Sequence, residues 1–379
     1  MIYLLVDRYL KWLEAHGLGF LRVFTFATFQ VVASILLSFL ICIFIGPQFI
    51  RWLRRQKIGD QPEFDQAELN RMMEGKKGTP TMGGVLIITS IAFSTLLLAN
   101  LANFYVQMAV LCLVWLGAVG ATDDWLKLTA AHRTGSRSGL TSLEKLLFQV
   151  GLSVILAYFT YNYGINTPET HRLFFPFAKR FFIELPLWAF ILLSTLVMTG
   201  SSNAVNLTDG LDGLAAGCMA ICSFAFCVLA LIIGTSWSNF LLLKYIPGAD
   251  QMAVLAGAIT GACLGFLWFN CNPAQVFMGD TGSLALGGLI GYIAIVIRQE
   301  LVLFIVGGIF VVEALSVLIQ VSYFKYTRRR FGEGRRVFLM APLHHHFQRK
   351  GWTETQVVVR FWLMGAMLAA MALATVKLR

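Results

Sequence analysis

Five aspartates, Asp123, Asp124, Asp209, Asp212 and Asp280, stand where long apolar runs give way to polar sequence. A single aspartate at a helix end is usually a cap or a solvated charge. Five such residues in a chain with few charges ask for a chemical reason. Asp123-Asp124 follows Gly117-Ala-Val-Gly-Ala-Thr122. Asp209 and Asp212 are three residues apart and would share a face on a helix. Asp280 lies in Phe277-Met-Gly-Asp-Thr-Gly-Ser283, whose glycines let backbone approach a ligand closely. Carboxylate sets with few competing thiols suit Mg²⁺, which takes one or two protein carboxylates and completes its shell with substrate phosphates and water. The chemistry indicated is phosphoryl transfer on a nucleotide diphosphate.

His344-His345-His346 adds a second group. Such a triplet reads as a polar loop, a metal site or an anion site. The Arg-rich stretch before it favours a phosphorylated substrate. The basic run 325–336 reads equally as an anchor on anionic lipid. Glu313 and Gln320 are seven residues apart inside an apolar run and fall on one helix face. Glu313 reads as a buried structural group or a site group, and Gln320 as the better site candidate. The seven cysteines form no Cys-x-x-Cys, and six lie in apolar runs, which makes them small core residues.

The elements that must hold these groups are membrane helices. Hydrophobic residues make up 57% of the chain and charged residues 13%, about half the usual charged share of a soluble domain. Apolar runs at about 24–46, 82–99, 104–122, 146–162, 185–202, 211–234, 252–269, 282–298, 301–324 and 357–376 are each long enough to span a bilayer. Lipid admits only helices and closed barrels, and the short alternating segments of a barrel are missing. The expected fold is therefore all-α, with ten transmembrane helices in one unit, 1–379. Residues 1–22 form an interfacial amphipathic segment. Residues 325–356 form a basic, His-bearing cytoplasmic loop.

Loops 47–81, 123–145 and 325–356 hold seven, four and eight lysines and arginines, and all the even-numbered loops together hold five. The positive-inside rule puts the odd loops in the cytoplasm and both termini on the periplasmic side. The net charge of +10 is accounted for by orientation and anionic ligands, with no call for nucleic acid. All the candidate polar clusters fall in odd loops: Lys76-Lys77 with Thr79-Pro-Thr81, Asp123-Asp124, Asn203 to Asp212, Asn270 to Asp280, and the histidines. A transporter would instead place them at mid-bilayer within spans.

The motifs Thr79-Pro-Thr-Met-Gly-Gly84, Asp123-Asp-Trp125, Asn203-Ala-Val-Asn-Leu-Thr-Asp-Gly-Leu-Asp-Gly-Leu214, Phe266-Leu-Trp-Phe-Asn270, Phe277-Met-Gly-Asp-Thr-Gly-Ser283 and Pro342-Leu-His-His-His346 together resemble the phospho-N-acetylmuramoyl-pentapeptide-transferases. These belong to the polyprenyl-phosphate N-acetylhexosamine-1-phosphate transferase superfamily. The resemblance implies ten helices in the bacterial inner membrane, a cytoplasmic active site, Mg²⁺ dependence and a homodimer. It implies transfer from UDP-MurNAc-pentapeptide to undecaprenyl phosphate, giving lipid I and UMP in peptidoglycan synthesis. The alternative is a GlcNAc-1-phosphate transferase on the same scaffold.

By position the resemblance makes Asp280 the Mg²⁺ ligand. It assigns Asp123 and Asp124 to the lipid phosphate, with Asp123 as base or positioning group. Lys76, Asn270, Phe277 and Asp212 would line a uridine pocket, with backbone from Gly210 and Leu211. Thr81, Asn206, Asp209, Gln320, His344, His345 and His346 complete the implied site. Lys127 and Lys145 would lie near the phosphates. The segment 129–140 is longer and more basic than the family pattern. A single in-line displacement is favoured over an aspartyl-phosphate intermediate.

Overall fold

A backbone in hydrocarbon must satisfy its own hydrogen bonds, and the apolar runs do so as helices. In the computed structural model, residues 1–56, 76, 78–134, 139–164, 167–176, 178, 181–241 and 243–378 are described. Lys57, Arg71, Lys77, Arg137, Lys179 and Arg180 of the charge count lie outside the described residues.

The helices are α1 (Ile2–Ala15), α2 (Ala27–Arg55), α3 (Gly84–Leu98), α4 (Phe104–Thr134), α5 (Ser142–Tyr163), α6 (Leu187–Thr208), α7 (Leu214–Ile233), α8 (Trp237–Phe240), α9 (Asp250–Asn270), α10 (Gly279–Val296), α11 (Glu300–Val306), α12 (Gly308–Phe331), α13 (Leu343–Arg349) and α14 (Glu354–Leu378). One short antiparallel ribbon, β1 (Arg172–Phe174) with β2 (Phe182–Glu184), joins α5 to α6. Among the described residues nine helices are long and apolar enough to cross a membrane. The protein is an all-α polytopic membrane protein.

Helix α3 has 15 residues and rises only about 22 Å at ~1.5 Å per residue. It falls short of the span expected over 82–99. The run 301–324 is not one helix: it divides at Gly307 into α11 and α12. Three spans run further into the polar sequence than apolar content suggests. Asp123 and Asp124 lie in α4, Asn203 and Asn206 in α6, and Asp280 in the first turn of α10, so these residues belong to helices and not to loops. Asp209 and Asp212 do not share a helix face. Asp209 caps α6, and Asp212 sits in the turn that leads to α7.

The core is built on α9 and α10, whose residues are nearly all buried. Gly257, Gly261 and Gly265 recur every four residues on α9 and press against Ser34, Ile35 and Cys42 of α2. A Cβ at Gly261 would run into the Ile35 carbonyl, so the two backbones touch only because no side chain intervenes. Ser34 Oγ donates across this seam to the Val254 carbonyl at 2.9 Å. On α10, Gly287 and Gly291 meet α6 and Gly288 meets Leu116 of α4. This close packing gathers α4, α5, α6 and α10, the helices that carry the carboxylates and lysines, at one end of the bundle. The amino group of Met1 donates to the Leu96 and Leu97 carbonyls at the other end of α3 from Lys76.

Candidate active site

Asp123, Asp124 and Asp280 come from two helices, yet each offers a carboxylate oxygen within 4.8 Å of the others. Asp123 is fully buried. One of its oxygens accepts from the Leu140 N–H at 2.7 Å. The other meets Lys127 Nζ and Lys145 Nζ, each at 2.7 Å. The same two ammonium groups reach Asp280 Oδ2, Lys145 at 2.6 Å and Lys127 at 3.2 Å. Asp280 Oδ1 accepts from Asn206 Nδ2 at 3.0 Å, and Asn206 is also bound to Ser283 Oγ. A capping box between Thr141 and Glu144 starts α5 and so aims Lys145 at the cluster, despite the length of the preceding segment.

Asp124 is committed differently. Its oxygens accept from the Asp280 and Thr281 N–H groups and from Thr281 Oγ1, at 3.1, 2.9 and 2.6 Å. It therefore satisfies the N terminus of α10 and fixes Asp280 in place. Gly279 makes this possible. Its φ of +74° is left-handed, and a Cβ there would press on Asp124 Oδ2 and on Thr81 Oγ1. The segment carrying Thr81 is tied to the same turn. The Phe277 N–H donates to the Pro80 carbonyl, Gly83 N–H to Phe277 and Gly84 N–H to Met278, all at 2.8 Å.

Asp209 borders this cluster, near the Gly279 N–H. Burial, and then the negative charge of Asp280 and Asp124, push its carboxyl up to about 7. Asp212 faces another recess. Lys76 Nζ meets Asp212 Oδ1 at 2.6 Å and Glu354 Oε1 at 2.5 Å. Asn272 Nδ2 and the Ala274 N–H both donate to Asp212 Oδ2 at 3.1 Å. Asn270 accepts from the Gly213 N–H and donates to the Val276 carbonyl. Lys76, Asp212 and Asn270 are thus neighbours around one recess. Phe277 takes part through its backbone, and Leu211 is buried in the turn beside Gly210.

The three histidines have separate duties. His344 is 1% exposed, and its backbone N–H donates to Glu313 Oε1 at 3.1 Å, with its ring Nδ1 3.2 Å from Oε2. Its other ring nitrogen lies against Gly210, where a Cβ would collide with it. Glu313 is fully buried and so positions the histidine helix. His345 Nδ1 pairs with Gln348 Oε1 at 2.8 Å. Burial, with neighbouring His344, pushes its imidazole down to about 4. His346 accepts from the Leu339 N–H, and burial and Lys350 lower it. These bonds run to Glu313, Gln348 and Leu339, and none to the three clustered carboxylates. Gln320 spends its amide on the chain before the histidines, accepting from the Val337 and Phe338 N–H groups at 3.0 Å.

Sequence reading missed Glu354, the shared acceptor of Lys76 Nζ and the Asp212 N–H at 2.8 Å. It also missed Thr281 and the Leu140 N–H. A lone glutamate at the start of the last apolar run carries no signal beyond its helix-start position. The donor types fit a hard divalent cation, three carboxylates and no thiol among them, while the two ammonium groups hold the same oxygens and compete with an ion for them.

Carboxylates and lysines converging at one end of a helical membrane scaffold make a centre suited to a cation and phosphates, and two family matches make it that of a phospho-sugar transferase. Residues 106–298, just over half of the chain, match glycosyl transferase family 4, and the chain belongs to that family. Residues 76–88 match phospho-N-acetylmuramoyl-pentapeptide-transferase signature 1.

Proposed function

We propose that the protein transfers phospho-N-acetylmuramoyl-pentapeptide from UDP-MurNAc-pentapeptide to undecaprenyl phosphate, yielding lipid I and UMP. It would act as a single unit over 1–379, as a homodimer in the bacterial inner membrane with the site facing the cytoplasm. The observation that carries this reading is the seating of the signature segment 76–88. Gly83 and Gly84 are hydrogen-bonded to Phe277 and Met278, immediately before Asp280, while Lys76 reaches Asp212.

Asp280, with Asp123 beside it, would hold Mg²⁺. Bound there, the ion would offset pyrophosphate charge as a Lewis acid. Lys127 and Lys145 lie between Asp123 and Asp280 and present positive charge where two phosphates must meet. A phosphate monoester has its second pKa near ~6 and arrives largely ionised. Asp123, held by two ammonium groups and a backbone N–H, accordingly positions the lysines and is not needed to remove a proton. An oxygen of the lipid phosphate attacks the β-phosphorus. The bond to the α–β bridging oxygen breaks, and its electron pair leaves with UMP. Lys76, Asp212, Asn270 and Phe277 would bind uridine, next to the Gly210–Leu211 backbone.

The test is purified protein with Mg²⁺, a polyprenyl phosphate and either UDP-MurNAc-pentapeptide or UDP-GlcNAc. UMP release with the muramoyl substrate alone is expected. Turnover of UDP-GlcNAc alone refutes the assignment in favour of a GlcNAc-1-phosphate transferase.

A further inference from the structure

Along the first two turns of α5, from Ser142 to Phe148, every side chain but Lys145 is exposed. Side-chain packing at that level therefore does little to set how deep Lys145 sits or which way it points. Gln149, one turn further on, is the first buried side chain of the helix, at 2% exposure. Its amide reaches α6 with both ends. Nε2 donates to Ser202 Oγ at 3.0 Å, and Oε1 accepts from Asn203 Nδ2 at 2.8 Å. Ser202 Oγ in turn donates to the Leu284 carbonyl of α10 at 2.9 Å. Trp115 Nε1 of α4 also donates to the Phe148 carbonyl, at 3.3 Å and in an exposed position.

The three linked positions stand in register with the site. Gln149 follows Lys145 by four residues, Ser202 precedes Asn206 by four, and Leu284 follows Asp280 by four. Helices α5 and α10 start at the site and α6 ends there, so the link lies one helical turn, about 6 Å, beneath the contacts of Asp280 with Lys145 and Asn206. A carboxamide inside a membrane bundle costs free energy unless it is paired, and an apolar side chain would fill the same place without that cost. We infer that Gln149 is a positioning residue for Lys145, fixing the rotation and depth of α5 so that Nζ meets Asp123 and Asp280 together. The inference rests on the role proposed above for Lys145 beside the phosphates. Without the amide, the exposed start of α5 is free to turn or slide against α6 and α10. A displacement of about 1 Å at a reacting centre is enough to cost up to about 100-fold in rate.

The experiment measures kcat, nucleotide KM and Tm for purified Gln149→Leu with Mg²⁺, a polyprenyl phosphate and UDP-MurNAc-pentapeptide. Leucine suits the apolar surroundings, and Ser202 and Asn203 keep their bonds to the Leu284 and Thr199 carbonyls, so the fold should hold. The expected result is a kcat lower by about 10- to 100-fold, a KM within about 2-fold of wild type and a Tm within about 3 °C of it. Ser202→Ala should lower kcat in the same sense, and the double variant should be no slower than the slower single one, because both remove one link. Ser153→Ala is the control. Ser153 is equally buried on α5, but its hydroxyl bonds only the Gln149 carbonyl of its own helix, so kcat should stay at the wild-type value. A wild-type kcat in Gln149→Leu, parallel losses of kcat, KM and Tm, multiplied losses in the double variant, or an equal loss in Ser153→Ala overturns the inference. Near-normal turnover by Lys145→Gln would instead bring down the role proposed for that lysine, and the inference with it.

Discussion

At the scale of single residues, the site works by sharing oxygens. Asp280 meets Lys145, Lys127 and Asn206 with its two oxygens, so nothing isosteric but neutral can replace it. Asp280→Asn should lower UMP release at least about 100-fold, on the scale of losing one preorganised electrostatic contact, while the protein stays folded and extractable. Near-normal turnover would remove its proposed ligand role. Asp209 makes a pH prediction. Its folded carboxyl titrates at about 7, against an ordinary value of 3.8. Folding thus favours the protonated form, and ionisation costs stability as pH rises from about 4 through 7. In metal-free buffer, Asp209→Asn should raise Tm relative to wild type at pH 8 and show little difference at pH 4. A constant difference across that range would contradict the shift. His345 has the opposite sense. Depressed to about 4, it is neutral at physiological pH and serves there as a neutral hydrogen-bonding group, not as a cation.

At the scale of elements, helix ends set the chemistry. The start of α14 brings Glu354 to Lys76 and to the turn that carries Asp212, so the last helix buttresses a recess built mainly by the α6–α7 turn and the end of α9. Glu354→Gln keeps the shape and removes the charge. It should raise KM for the nucleotide substrate about 10-fold with a smaller change in kcat, as expected when a charged hydrogen bond to a binding lysine is weakened. An equal fall in kcat and kcat/KM would mean that Glu354 acts on the transition state instead. The α2–α9 seam is the second case. Gly261→Val forces a side chain into the Ile35 carbonyl and should destabilise the protein by about 1–3 kcal/mol, read as a lower Tm in detergent. An unchanged Tm would show that the helices can part without loss.

At the scale of the whole molecule, sidedness is testable with a native reporter. Six cysteines are buried, and Cys271 is exposed, between α9 and Asp280. A membrane-impermeant maleimide should label the protein at Cys271 in inside-out vesicles and not in intact spheroplasts. Labelling of spheroplasts at that residue would invert the proposed topology and put the site on the wrong face for a cytoplasmic nucleotide.

Much of this molecule was readable from residue types and spacing. Apolar run length and the need for internal backbone hydrogen bonds determine a helical membrane protein. The run Phe277 to Ser283, the Asp123-Asp124 pair and the segment from Thr79 to Gly84 carry the resemblance that points to phosphoryl transfer, while the carboxylates themselves indicate only a site for a cation and phosphates. Tertiary structure alone decided which oxygen meets which nitrogen. Asp123 and Asp124 are neighbours in sequence, yet a helix turns successive residues by about 100°, so one faces two lysines and the other caps α10. Asp209 and Asp212 diverge because α6 ends between them. The importance of Glu354 depends on Lys76 and Asp212, more than 40 residues away along the chain, which no local pattern encodes.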